Sequence, residues 1–184
     1  DWWAQFMANR GYVVLQPNYR GSSGYGRAFT EAGLQQWGLK MQDDITDGVM
    51  KMIADGIADP KRICIVGASY GGYATLAGAT LTPDLYACAV SVAGVSDLPE
   101  MIKWERTIHG RSSDVVEFWI SRIGSPTDDS ERLRATSSAR QAAPARCRSF
   151  ITCTGIHVDP DTLRDKPHRV DRKISAATVS GEMP

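Results

Sequence analysis

The feature that most constrains the fold is a serine between two glycines, where an apolar strand pattern changes into a helical one. Residues 63–66 are apolar, and Ser69 follows in the segment Gly67-Ala-Ser-Tyr-Gly71. A small, apolar, helix-like run then continues to Leu81. A tight strand-to-helix turn of this G-x-S-x-G form favours flanking glycines and lifts the serine hydroxyl out of the sheet. Free N–H groups and the dipole of the next helix stabilise negative charge there, so Ser69 is a candidate nucleophile.

The composition indicates one α/β domain without a resident cofactor. The chain has 184 residues, 42% of them hydrophobic, which is enough to bury a core. Its 21 basic and 21 acidic residues give a net charge of zero, which argues against nucleic-acid or anionic-membrane partners. No apolar run approaches the length of a membrane span, and no cluster has metal-ligand spacing. We therefore expect no cofactor, no metal and no membrane contact, and the sequence leaves the oligomeric state open.

The cysteines and the first residues bear on the cellular compartment. The four cysteines have neither metal spacing nor a paired framework, and two lie in apolar strand-like runs. We expect buried, reduced thiols at Cys64, Cys88, Cys147 and Cys153. The chain starts at Asp1 in a helical pattern, so we expect the true N-terminus to lie upstream, and a cytoplasmic location is favoured.

Before the serine turn, the pattern alternates helices and strands. A helix that ends near Gly11 and a strand at residues 12–16 lead to the glycine-rich loop of residues 18–26. That loop lacks the Lys-Ser/Thr of a phosphate-binding loop, and no helix pattern directly follows its glycines, so we interpret it as structural. Arg20 could anchor it through carbonyls or a carboxylate. In the predicted helix of residues 42–53, Asp43 and Asp44 resemble a catalytic carboxylate pair, but we expect them to stabilise the helix N-terminus.

After the serine turn, the pattern predicts a buried central strand at residues 86–93, with Gly94-Val-Ser-Asp97 leaving its carboxyl end. Three aromatic residues follow in a helical region. They could line a pocket, although we expect at least two of Trp104, Phe118 and Trp119 to pack in the core.

Several spaced motifs occur along the chain: Arg10-Gly-Tyr-Val-Val-Leu-Gln-Pro-Asn-Tyr-Arg-Gly-Ser-Ser-Gly-Tyr-Gly26, Trp37-Gly38, Asp43-Asp44, Asp59-Pro60, Gly67-Ala-Ser-Tyr-Gly-Gly-Tyr-Ala74, Ile123-Gly-Ser-Pro126 and Ala135-Thr-Ser-Ser-Ala-Arg140. Together they resemble the prolyl oligopeptidase family of serine peptidases, in particular its dipeptidyl-peptidase and acylaminoacyl-peptidase branch. The resemblance implies a partial α/β-hydrolase fold, with a mostly parallel sheet flanked by helices, that cleaves short peptides. It implies that Ser69 is the nucleophile and that the backbone N–H of Tyr70 is an oxyanion-hole donor. Members usually carry a β-propeller ahead of this domain, and neither that propeller nor the upstream His-Gly-Gly-type loop is in this sequence.

The resemblance covers residues 1–143, which we take as the hydrolase domain, and breaks in the tail, 144–184. The family would supply a strand, an H-G-x-x-D turn with the catalytic Asp, and then a His. The tail is instead polar and Arg-rich, and we expect it to be irregular. A reading-frame change near residue 144 would explain this, because the shifted frame permits a similar strand and turn. An in-frame alternative makes Asp159 or Asp161 the acid and His168 the base, at a separation that is short for the family.

Without identified acid and base partners, this chain is expected to have little peptidase activity, because a serine hydroxyl is a poor nucleophile without an adjacent base. His109 precedes the family's acid position and is expected to be a surface residue. Two other functions stay open. One is a carboxylesterase-like acyl hydrolase, since the serine turn does not specify the leaving group. The other is a non-catalytic, hydrolase-like binding domain.

Overall fold

The computed structural model describes residues 2–141, 149–153 and 175–180, with side chains described in the first of these ranges. Helices and strands alternate up to residue 92, apart from two consecutive helices after the first strand. The helices are α1 (Trp2–Ala8), α2 (Arg27–Glu31), α3 (Lys40–Ala54), α4 (Tyr70–Leu81), α5 (Leu98–His109), α6 (Asp114–Ile123) and α7 (Ser130–Ala135), with a 3-10 turn at Ser138–Arg140. The strands are β1 (Val14–Leu15), β2 (Ile63–Ala68), β3 (Cys88–Val92), β4 (Ser149–Cys153) and β5 (Ser175–Ser180).

The strands form one parallel sheet in the order β1-β5-β2-β3-β4. Strand β2 is paired on both sides and its first five residues are buried, as its uninterrupted apolar sequence predicts. In its register with β3, Gly67 lies opposite Ser91 and Ala68 lies opposite Val92. Because all the strands are parallel, the residues that follow β2 and β3 meet at one edge of the sheet.

Strands β4 and β5 lie within the tail that the sequence analysis expected to be irregular, so that expectation is wrong for these two segments. Strand β5 is inserted between β1 and β2, and β4 pairs with β3. Strand β5 consists of small and β-branched residues, so its sequence has little hydrophobic pattern and gives only a weak strand signal. Its pairing is favoured by the main-chain donors and acceptors of the neighbouring strands, which need partners.

Helices α3 and α4 pack against this sheet in different ways. Helix α4 consists mainly of small and apolar residues, with Tyr70 and Tyr73 as large exceptions, and its residues 70–79 are all buried. Helix α3 is amphipathic and buries Met41, Gln42, Ile45 and Val49. Two local expectations change: β1 has only two of the five predicted residues, and the short α2 begins directly after the loop glycine Gly26.

The structure joins Cys64 and Cys88 in a disulfide, so the expectation of reduced thiols is wrong for this pair. The two residues face each other in the register of β2 and β3, with their Cα atoms 4.6 Å apart. Sequence spacing alone does not reveal this proximity, because 24 residues and a helix separate the two cysteines. Cys147 lies outside the described residues, as does the side chain of Cys153.

No helix in the described residues combines the length and the apolar character that crossing a bilayer requires.

Candidate functional site

The backbone at Ser69 has a strained conformation at the turn between β2 and α4. Its φ of 54° and ψ of −117° lie in a region that side chains other than glycine rarely adopt. In the described residues, only Gln35 and Ala93 among non-glycine residues share a positive φ. Ser69 directly precedes α4 and is exposed, whereas the residues on β2 before it are mostly buried. The turn therefore presents the hydroxyl at the surface, at the N-terminus of a buried helix.

Main-chain hydrogen bonds hold this turn against the neighbouring strand. The N–H of Ser69 donates to the carbonyl of Val92, at the end of β3, over 2.9 Å. The carbonyl of Ser69 accepts from the N–H of Tyr73 over 3.0 Å and so starts the hydrogen bonding of α4. Both polar main-chain groups of Ser69 are thus used to hold the turn in place.

A second contact between α4 and the end of β3 fixes the helix position. A Cβ added to Gly72 would lie 2.7 Å from the Cα of Gly94 and 2.8 Å from the carbonyl oxygen of Val92, so only glycine fits. The buried hydroxyl of Ser91 donates to the carbonyl of Gly72 over 3.0 Å. The sequence analysis did not single out Ser91, Gly72 or Gly94 for this role. Glycines at both 72 and 94 were the available signal, since close backbone approach is one reason for glycine in such places.

Tyr70 is the first residue of α4, and its ring lies in a buried aromatic cluster. Its N–H is in the first helical turn, where no intrahelical acceptor exists. Ring centroids lie 4.6 Å from Trp37, 5.2 Å from Tyr19 and 5.8 Å from Tyr73. The packed ring therefore anchors the residue whose N–H was predicted to be an oxyanion donor.

The hydroxyl of Tyr70 is buried and has no hydrogen-bond partner among the described residues. Burial is the main reason that the pKa of Tyr70 is raised well above its usual value, with smaller contributions from Tyr19, Tyr73 and Asp44. The hydroxyl of Tyr73, by contrast, donates to the carbonyl of Thr136 over 2.9 Å. Burial raises the pKa of Tyr73 too, and a smaller effect of the Thr136 side chain opposes the shift. Both phenols therefore stay neutral at ordinary pH and act as packing groups.

An ion pair fastens the glycine-rich loop to α3. The guanidinium of Arg20 contacts the carboxylate of Asp44 through Nε at 2.8 Å and Nη2 at 2.6 Å, and the backbone N–H of Arg20 donates to the same carboxylate at 2.9 Å. The side-chain hydrogen bond from Arg20 is the largest cause that lowers the pKa of Asp44. The prediction that Arg20 anchors the loop is confirmed, through the carboxylate alternative. Asp43 lies in the first turn of α3, as expected, whereas Asp44 serves the loop.

Candidate acid and base residues fall into two groups. His109, the only histidine in residues 2–141, is exposed at the C-terminal end of α5, with Nε2 3.4 Å from Oε2 of Glu105. It is therefore a surface histidine, as predicted. The in-frame candidates Asp159, Asp161 and His168 lie outside the described residues.

Asp97, which follows β3 and directly precedes α5, has a structural function that sequence reasoning missed. Its carboxylate accepts from the N–H of Glu100, which caps α5, and contacts Nε of Arg140 at 2.7 Å. An acidic residue followed by Leu-Pro-Glu was the available signal for a helix N-cap.

The candidate aromatic pocket and a metal site find little support in the described residues. Trp104 and Phe118 are 58% and 39% exposed, so the expectation that at least two of the three aromatics pack in the core is wrong. Only Trp119 packs against the core, edge-on to Trp37. No group of three or more possible His, Cys, Asp or Glu ligands occurs in the part of the chain that is described.

Comparison with known proteins gives consistent matches. The sequence model of the prolyl oligopeptidase family matches residues 1–161. Dipeptidyl aminopeptidase BIII of Pseudoxanthomonas mexicana is 42% identical over 125 residues, which are 68% of this chain and 18% of that protein. Dipeptidyl peptidase family member 6 of Caenorhabditis elegans is 45% identical over 98 residues, which are 53% of this chain and 13% of that protein. The chain therefore spans less than a fifth of the length of each of these two curated relatives.

A solved structure supports the same comparison. The structure of a puromycin-hydrolyzing peptidase of Mycobacterium tuberculosis aligns with a TM-score of 0.66 at 29% identity. The alignment covers 89% of this chain and 24% of that one.

Proposed function

Because this chain belongs to the prolyl oligopeptidase family, we propose that it carries the nucleophile of a serine peptidase, with Ser69 as the attacking residue. The observation that carries the proposal is the conformation of Ser69. A strained, exposed serine between a buried strand and a buried helix N-terminus is the arrangement that acyl-transfer enzymes use to present a nucleophile.

The proposed reaction proceeds through an acyl-enzyme. Oγ of Ser69 attacks the scissile carbonyl of a peptide while a general base takes the hydroxyl proton. The carbonyl oxygen becomes an oxyanion and accepts a hydrogen bond from the backbone N–H of Tyr70. The amine then leaves with a proton, and water releases the acyl group from Ser69 by the reverse sequence. The aromatic cluster around Tyr70 supports this geometry by holding the first turn of α4 in place.

Short peptides are the proposed substrates of the parent protein. Two relatives are named as a dipeptidyl aminopeptidase and a dipeptidyl peptidase, which supports peptide rather than ester substrates. Turnover of aminoacyl p-nitroanilides and of simple p-nitrophenyl esters by the longer parent protein would test this. We expect the anilides to be cleaved with the higher kcat/KM, and a clear preference for esters would favour the acyl-hydrolase alternative.

We further propose that the 184-residue chain itself reacts slowly. His109 is paired with Glu105 at the end of α5 and supports no role as a base for Ser69. A Ser hydroxyl without its triad partners retains only a small remnant of its reactivity, roughly 10³- to 10⁴-fold above water in a well-studied case.

A fluorophosphonate probe tests both parts of the proposal, because it reacts covalently with activated serines. The labelling rate is measured for the native chain and for Ser69→Ala, His168→Ala and His109→Ala. We expect slow labelling that Ser69→Ala abolishes and that neither histidine variant changes. Rapid labelling that is lost in His168→Ala would show that the in-frame base works, and would overturn slow reaction. Labelling that survives Ser69→Ala would overturn the nucleophile assignment. Complete absence of labelling, together with peptide binding that survives Ser69→Ala, would favour a non-catalytic binding domain.

A further inference from the structure

A cavity of about 620 Å³ lies beside the second half of α5, and basic side chains dominate its lining. The described residues that line it are Lys103, Arg106, Thr107 and Arg111. Three of these four carry a positive charge, and the fourth carries a hydroxyl. The volume is in the range of ordinary small-molecule sites. The whole chain has a net charge of zero, so this concentration of one sign is a local property.

The two arginines of this cavity are not neutralised by the described residues. Nε of Arg106 is buried and has no hydrogen-bond partner there. Neither Arg106 nor Arg111 forms an ion pair among the described residues. An anion in the cavity would not reach this buried Nε, but it could accept hydrogen bonds from the other guanidinium N–H groups of Arg106 and Arg111, which have no acceptor among the described residues.

The nearby carboxylates are engaged elsewhere or stay in solvent. On α5 itself, Glu105 contacts His109, and Glu100 pairs weakly with Lys103 at 3.2 Å in an exposed position. On the adjoining helix α6, the exposed Asp114 and Glu117 form no ion pair with either arginine. The positive charges of Arg106 and Arg111 are therefore available to a ligand.

We propose that this cavity binds a small oxyanion that carries phosphate or carboxylate groups. Arg106 and Arg111 supply the charge-assisted hydrogen bonds, since a planar guanidinium matches the oxygens of either group. Lys103 adds a point charge, and the hydroxyl of Thr107 adds a neutral donor. The site does not include Ser69 or any residue of the serine turn, and the proposal is independent of peptidase activity.

Isothermal titration calorimetry of the full 184-residue chain tests the site. Inorganic phosphate and citrate are titrated separately, with sodium chloride at matched ionic strength as the reference. The variants are Arg106→Gln, Arg111→Gln and their combination. Arg27→Gln is the matched control, because Arg27 is an exposed helical arginine whose only described ion pair is with Glu31. Circular dichroism reports whether each variant keeps its helical content.

We expect saturable binding of phosphate, citrate or both, and the comparison of the two anions identifies the preferred group. The affinity of the double variant for the anion should be at least about tenfold lower than that of the native chain, and the affinity of each single variant about threefold lower. Each substitution removes a charge-assisted contact. Arg27→Gln should bind as the native chain does. Because Arg111 is exposed, Arg111→Gln still tests the proposal if a substitution at Arg106 disturbs folding. Absence of saturable binding up to about 10 mM of either anion, or equal affinity in Arg111→Gln and the native chain, would overturn the proposal.

Discussion

Two helices of the molecule, α4 and α5, are held in place in different ways. Helix α4, which follows the turn, is buried over residues 70–79 and touches the end of β3 through main-chain atoms. Helix α5 buries only Leu98, Ile102 and Glu105, and exposes Trp104 and Ile108. The position of α4 is therefore determined by backbone proximity, which tolerates few residues, whereas α5 is held mainly by one stripe of buried side chains. This difference predicts where substitutions cost stability.

The largest effect is expected at the contact between α4 and the end of β3. Gly72→Ala places a Cβ 2.7 Å from the Cα of Gly94, and backbone cannot move aside as a side chain can. We expect it to lower the free energy of unfolding by about 3 kcal/mol, as measured by urea denaturation. Fluorophosphonate labelling of Ser69 should also fall, because the helix must shift.

Gly48→Ala in α3 is the matched control for that substitution. Its added Cβ would lie 3.2 Å from a terminal methyl of Leu15, which can adjust. Alanine also gains about 1 kcal/mol of helix propensity over glycine, so this variant should be neutral or more stable. A Gly72→Ala protein as stable as Gly48→Ala would show that backbone proximity does not determine the position of α4.

The next effect distinguishes two tyrosines within the same aromatic cluster. Tyr73→Phe removes the hydroxyl that donates to the carbonyl of Thr136, so we expect a loss of about 1 kcal/mol. Tyr70→Phe removes a buried hydroxyl without a described partner, so we expect a gain of up to about 1 kcal/mol. Both changes conserve ring packing, and thermal or urea unfolding measures each. A loss of stability in Tyr70→Phe would indicate that its hydroxyl has a partner after all.

Much of the serine turn could be predicted from sequence because its constraints are local. The predicted family and the partial α/β-hydrolase fold are confirmed. The glycines around Ser69, the apolar strand and the small-residue helix all describe one turn, and each can be recognised within a few residues. The ion pair between Arg20 and Asp44 was only half predicted, because its partner lies 24 residues away.

The features that sequence reasoning missed depend on contacts between distant segments. Strands β4 and β5 are defined by their pairing with β3, β1 and β2. The disulfide follows from the register of β2 and β3. At least two of Trp104, Phe118 and Trp119 were expected in the core because large aromatic residues are highly buried on average, but the apolar stripe of α5 is complete without Trp104.

The smallest effect is expected at Trp104, and its replacement tests whether α5 is held less tightly than α4. Trp104 is 58% exposed, so its replacement removes little buried surface. Alanine has the higher helix propensity, by about 0.5 kcal/mol, which offsets part of the lost contact. We therefore expect Trp104→Ala to change the free energy of unfolding by no more than about 0.5 kcal/mol. A loss above about 2 kcal/mol, typical of a buried aromatic side chain, would mean that α5 is held as tightly as α4, because Trp104 would then be part of the packing that positions it.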